Sequence, residues 1–270
     1  MVRCINIRII AFGLVVLSIV ACGPSEPQLA VDKLNLAESL LASGDTVVAL
    51  QHLDSIPAKY PKAKVEVRKT IQLNNRIVVS MMMERRNKLQ ECKAVIDTLA
   101  SGFVAEKGEF ERLTNYIPVS QNSTGNWSKS FLKMWLNEKG DLFLSSNYYG
   151  AIWLNHYAIR IYNAGLQVQS DSVPVGDPYN YHGDFNGMKW ERITFRPSQS
   201  EPTIRFIAEN YSLPLKALFI GKQQSAIIME ERDKKAAKMV VEYADALKVK
   251  IRLEAEIAAL QARVKPDGNE

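Results

Sequence analysis

The stretch "GDPYNYHGDFNG" (176–187) gathers Asp177, Asn180, His182 and Asp184 within a dozen residues, side chains that could hold a cation. Oxygen-rich turns bind Ca²⁺ when carboxylates alternate and a glycine makes the bend, but Phe185 follows the third candidate ligand and breaks the EF-hand spacing. His182 with Asp184 gives two zinc ligands where a site needs three or four. The segment therefore reads as a turn rich in Asn, Asp and Gly, with no metal or cofactor. Catalytic patterns are missing too: His52, His156 and His182 are the only histidines, and no G-x-S-x-G, H-E-x-x-H, P-loop or Rossmann fingerprint occurs. Carboxylates such as Glu191 and Glu201 have no pattern to single them out from 29 acids. The chain reads as a non-enzyme.

Aromatic side chains are the other candidates. Trp127, Trp135, Trp153 and Trp190 fall in the middle of the chain with Tyr148, Tyr149, Tyr157, Tyr162, Tyr179 and Tyr181. An apolar ring with a polar tip can stack on a sugar face or anchor a protein interface, although aromatics also fill β cores. Tyr148 and Tyr149, in an expected turn before Gly150, and Tyr179 and Tyr181, beside Pro178, are the expected exposed ligand-binding residues.

The cysteines fix an expected address. Arg3 and Arg8 precede the apolar run Ile9 to Val20, which is too short to span a bilayer and reads as the core of a signal peptide. Ile19-Val20-Ala21-Cys22 resembles the lipobox of bacterial lipoproteins. That resemblance implies cleavage after residue 21, acylation of Cys22 and a membrane anchor made by two or three lipid chains. Gly23, where an inner-membrane lipoprotein often carries Asp, points to the outer membrane of a cell envelope and leaves the leaflet open. The full chain holds 34 basic and 29 acidic residues, and loss of Arg3 and Arg8 leaves a net charge of about +3, too mild for a nucleic-acid partner. Cys4 leaves with the signal and Cys22 carries lipid, so Cys92 has no internal disulfide partner.

The elements that position these residues follow from composition and period. Residues 29–113 and 230–264 are rich in Ala, Leu, Lys and Glu, while 114–229 hold all four Trp and most of the Gly, Pro and other aromatic residues. An α+β chain is expected: signal peptide 1–21, lipid-anchored linker 22–28, helical hairpin plus long helix 29–113, antiparallel sandwich-like β domain 114–229, C-terminal helix 230–264 and disordered tail 265–270. Leu36, Leu40 and Leu41 precede Gly44-Asp45, and Ala49, Leu53 and Ile56 follow it, which predicts two short antiparallel helices. With Ala37 and Pro61 this stretch resembles one tetratricopeptide unit, although a solenoid needs about three. Beyond Pro61, apolar positions run from Val67 to Phe103 at spacings of three and four, with a heptad seam from Leu89 through Cys92, Ile96 and Leu99 to Phe103. A second stripe, Ala246, Val249, Leu253, Ile257, Leu260 and Val264, predicts that the last helix pairs back as a coiled-coil stalk.

The β domain breaks at Asn137–Gly140 and at Asn163–Gly165, and Asn186-Gly187 is the strongest short hairpin signal. Further strands are expected at "TIRFIAE", "KALFIG" and "SAIIME". Two functions follow: a membrane-tethered scaffold whose helices hold a protein partner in the envelope, or a binding protein whose aromatic β domain captures a glycan or peptide.

Overall fold

Residues 24–109, 111–122 and 128–266 are described in the computed structural model; Cys22, its lipobox and Trp127 lie outside them. Helix α1, Glu26–Ala42, starts with Pro27 in its first turn, where a missing N–H is harmless. It stops at a turn in which Gly44 takes a φ of +87°, a left-handed value that suits glycine. Asp45 then caps α2, Thr46–Lys59, its carboxylate accepting from the Val48 N–H at 3.2 Å. The two helices pack through Ala30, Leu34 and Ala37 on one side and Ala49, Leu50, Leu53 and Ile56 on the other. Leu36, expected on this face, lies about 100° around the helix from Ala37 and is exposed.

Helix α3, Lys64–Ala100, continues the chain. Residues fall into two units, one running to Val79 and taking in Arg263 onward, the other spanning Ser80–Ala262. In the first, Asp54 accepts from Arg263 at 2.7 Å and Lys265 at 3.1 Å. Lys265 also exchanges two hydrogen bonds with the Asn75 amide, so the start of the segment read as a tail is tied down.

The second unit is mixed helix and sheet. After α3 come β1 (Phe103–Glu106), β2 (Asn115–Pro118), β3 (Phe131–Asn137), β4 (Leu142–Gly150), β5 (Ala158–Asn163), β6 (Leu166–Gln169), β7 (Asn180–Phe185) and β8 (Met188–Phe195). Helix α4 (Pro197–Glu209), strands β9 (Lys216–Ile220) and β10 (Gln224–Ile228) and the long α5 (Glu231–Arg263) complete it. Every strand pairing is antiparallel: one sheet has the order β1-β2-β3-β4-β8-β7, the other β10-β9-β5-β6. The β7–β8 hairpin turns at Asn186 and Gly187, both at positive φ, as the Asn-Gly pair predicts.

Four expectations are corrected. "TIRFIAE" is part of α4, not a strand: Ser200, Thr203, Ile204 and Ile207 are buried at offsets of three, four and seven, a helical row that outweighs the β preference of its Thr and Ile. Phe103 belongs to β1, because α3 ends at Ala100 ahead of Gly102. Tyr148 and Tyr149 lie in β4 rather than in a turn, and Tyr148 points into the core. On α5 the buried row begins with Ala236, Ala237, Val240, Tyr243, Ala244 and Leu247; Val249 and Val264 are exposed.

Both sheets, α4 and α5 share one core containing Leu132, Met134, Leu144, Ile159, Phe195, Ile204, Phe219 and Val240. Tyr148 meets Phe219 at 6.2 Å between ring centroids, which joins one sheet to the other. Along the helices, Leu89 packs with Leu253 and Ile257, and the Cys92 thiol donates to the Ala246 carbonyl at 3.3 Å. The Arg85 guanidinium binds Glu256 at 2.7 Å. Phe195→Ala removes a fully buried ring from this core and should cost about 3–5 kcal/mol, read as a lower urea midpoint with unchanged slope.

Candidate functional site

The alternation along β3, β4 and β8 gives the six-stranded sheet two chemically different faces. Leu132, Met134, Leu136, Leu142, Leu144, Ile193 and Phe195 point into the core. Their neighbours, Phe131, Lys133, Trp135, Ser145, Asn147, Trp190, Arg192 and Thr194, point the other way and line a cavity of about 510 Å³. Register sets them in rows. Phe131, Asn147, Arg192 and Tyr181 form one row across β3, β4, β8 and β7; Lys133, Ser145 and Thr194 form the next. Tyr149 stands opposite Trp190, and Trp135 stacks on Phe143 at 5.4 Å and 9°.

The floor is polar and the walls are aromatic. Ser145 and Asn147 are nearly covered, and the Asn147 amide donates to the Ser145 hydroxyl oxygen at 3.0 Å. Arg192 lies over the rings of Tyr181 and Trp190 at 5.6 and 5.5 Å, which fixes a cation against two π faces. At the back of the cavity Gln121 donates to the Leu132 carbonyl and to Asp233, both at 3.1 Å, and accepts from the Met134 N–H at 2.8 Å. That one side chain ties the short turn Val119–Gln121 to β3 and to the first turn of α5.

Three of the four tyrosines read from the sequence share this outward face. Tyr179 and Tyr181 are 46% and 47% exposed, Tyr149 is half-buried, and Arg196 lies 5.0 Å over the Tyr179 ring. Tyr148 is the exception: burial, then the nearby Glu191 charge, push its phenol up, while the Ile152 backbone opposes them. Lys133, Arg192 and Thr194 went unrecognised, although the period-2 alternation in "FLKMWLN" and "MKWERITF" marks them as one side of two strands; Ser145 and Asn147, in the polar run of β4, carry no such mark.

The cluster read as a turn is one only at Asp177: Asn180, His182 and Asp184 lie in strand β7, paired with β8. The Asp177 carboxylate accepts from the Tyr179 N–H at 2.9 Å, Asn180 donates to the carbonyls of His156 and Val173, and Asp184 pairs with Lys189. Among the described residues no three His, Cys, Asp or Glu side chains are grouped to hold a metal ion.

A second constellation lies on the inward face. The Ser146 hydroxyl is 3.0 Å from His156 Nε2, and His156 Nδ1 is 2.7 Å from Glu191 Oε2. Serine, imidazole and carboxylate in that order are the parts of an acyl-transfer relay. Here all three are fully buried, on the side of the sheet away from the cavity, and the serine oxygen has no approach for a carbonyl carbon. The carboxylate works instead on the chain: Glu191 accepts from the backbone N–H groups of Leu154, Asn155 and His156 at 2.7–2.8 Å. Burial pushes the Glu191 carboxyl up, but the hydrogen bonds from the His156 ring and from the His156 and Asn155 backbone outweigh it and hold the group below its ordinary value. This fixes residues 151–157, which carry the chain from β4 to β5 and bring Asn155 to a φ of +49°. Gly221 receives that crossover, and any Cβ there would overlap the Leu154 carbonyl.

No family model, curated protein or solved structure matches the chain.

Glu191→Ala leaves three backbone N–H donors and His156 Nδ1 unpaired and should cost about 3–5 kcal/mol in urea unfolding. Because the folded carboxyl lies below its unfolded value of about 4.3, its contribution is complete above that pH and is lost as pH falls through the folded value. The unfolding midpoint of the native chain should therefore drop more steeply than that of Glu191→Gln between about pH 4.5 and pH 2.

Proposed function

We propose that this chain is a non-catalytic, lipid-anchored lipoprotein of the cell envelope, held at the outer membrane through Cys22, whose β domain captures a glycan. The observation that carries the reading is the cavity of about 510 Å³ on the outward sheet face, with aromatic walls and a hydroxyl and amide floor. Sugar rings offer apolar C–H faces to aromatic side chains and hydroxyls to Asn, Ser, Thr and Arg, so such a surface answers both demands. The closed Ser146–His156–Glu191 relay supports a binding role over hydrolysis. Within this proposal the two sheets act as a sandwich, and α3 and α5 pair as a coiled coil through Leu89, Cys92, Leu253 and Ile257.

The anchor reading rests on the lipobox and is consistent with helices none of which, among the described residues, is long and apolar enough to cross a membrane. A second reading, a membrane-tethered scaffold for a protein partner, is favoured by the exposed Leu36, Val47 and Val65 on the tetratricopeptide-like hairpin and the helix after it.

Cys22→Ser should move the protein from the membrane to the soluble fraction and abolish a lipid mass increment on its N-terminal peptide, measured by fractionation and mass spectrometry. Calorimetric titration with soluble envelope oligosaccharides should show binding that the double substitution Trp135→Ala, Trp190→Ala weakens by about tenfold or more, because each removes a stacking surface. Unchanged binding in that variant, or none in the native chain alongside a stoichiometric protein partner cross-linked through Leu36 and Val47, would replace the glycan reading with the scaffold.

A further inference from the structure

The charges around the cavity are not evenly spread. Glu106 and Glu111 stand at the β1–β2 side, where Glu111 already accepts from the Asn115 amide at 2.7 Å and the Gly108 N–H at 3.3 Å. Lys129 is bound to Glu230 at 2.8 Å. Lys133 on β3 and Arg192 on β8 differ: among the described residues neither has a carboxylate within ion-pair distance, and they flank β4 on the same face. Between them lie Ser145, Asn147 and Thr194. Since Asn147 donates to the Ser145 oxygen, the serine hydroxyl proton is left to point at a ligand. The centre of the cavity therefore presents an ammonium, a guanidinium and two hydroxyls, a set dominated by donors.

Resting on the glycan reading above, we propose that this centre is an anion subsite and that the ligand is an acidic saccharide whose carboxylate lies between Lys133 and Arg192 over Ser145, Asn147 and Thr194. Three physical points carry it. Neither cation forms an ion pair among the described residues, so a ligand carboxylate that reaches them gains charge-assisted hydrogen bonds without breaking one already made. Arg192 is restrained by the Tyr181 and Trp190 rings, so its planar fork loses little freedom when it meets a carboxylate. Trp135 and Trp190 stand in the same cavity, where the ring bearing that carboxylate can stack. A neutral saccharide satisfies the aromatic walls and leaves both cations without a counter-ion.

The test uses the full lipidated chain in detergent micelles, titrated at about 50 mM salt with three probes: a neutral N-acetylhexosamine oligomer, a uronic-acid oligomer of equal length, and an oligoglutamate peptide. The expected result is that the uronic-acid oligomer binds about tenfold or more tighter than the neutral one, with an advantage that shrinks as salt is raised. Lys133→Gln should remove most of that advantage and leave neutral-oligomer binding within about twofold, whereas Arg192→Gln should weaken uronic-acid binding several-fold more than neutral-oligomer binding, a loss that Arg192→Lys restores only in part. Both positions lie on an open face, and the variants should keep the circular dichroism spectrum of the native chain. Equal affinity for the two saccharides overturns the anion subsite and leaves the glycan reading standing. Tight binding of the peptide with neither saccharide, or of no probe, overturns both.

Discussion

The Glu191 carboxylate is buried without exposure and takes four hydrogen bonds from three consecutive residues, Leu154, Asn155 and His156. An ionised group cannot stay in a protein interior unless its lone pairs are met, and here the donors are backbone N–H groups that a crossing chain would otherwise leave unpaired. Each half of the contact answers a cost in the other. The arrangement fixes where the chain leaves the six-stranded sheet, and the backbone bonds from Tyr157 to Ile220 and from Gln223 to Leu154 then set where it enters the four-stranded one. Both sheets, and the core containing Tyr148 and Phe219, depend on that crossover.

With the crossover held, β4 and β8 are fixed in register, and a strand's period of two does the rest. Along β4 and the second half of β8, the residues on Glu191's side of the sheet are committed to packing, and the alternate ones are released to the outward face. The same two strands thus carry Leu144, Ser146 and Ile193 inward and Ser145, Asn147, Arg192 and Thr194 outward. Tyr148 and Tyr149 show how sharp the division is: adjacent in sequence, one stands on Phe219 in the core and the other faces Trp190's side of the sheet.

How far the sequence could be read follows from the range of each interaction. Helices α1 and α2, their Gly44-Asp45 turn and the Asn186-Gly187 hairpin rest on local chemistry, and all were legible. "TIRFIAE" was not, because seven residues of mixed Thr, Ile and Phe satisfy a strand's preference as well as a helix's, and only Ser200 in the preceding turn completes the helical row. Tyr148 was misplaced because β4 runs on through the tyrosines to Gly150 instead of turning there, and its alternation then sends Tyr148 inward. The Glu191 clamp was invisible for a different reason: its donors lie 35–37 residues away and most are backbone groups, which no residue type announces. The cavity floor was hidden too, since Ser145 and Asn147 sit in the unbroken polar run Ser145-Ser146-Asn147, and only strand pairing sets them beside Lys133, Arg192 and Thr194.

This separation bears on where chemistry can occur. A serine, a histidine and a carboxylate at hydrogen-bond distances look reactive, yet reaction requires room for a substrate atom about 3 Å from both nucleophile and donors. The inward face has no such room at Ser146, and opening it would break the clamp that holds the crossover. The outward face has the room and carries Lys133 and Arg192 without carboxylate partners among the described residues. A fold that consumes its best-placed acid and imidazole in holding two sheets together has left hydroxyls, amides, cations and rings for its open surface, which are the groups the proposed binding role calls on.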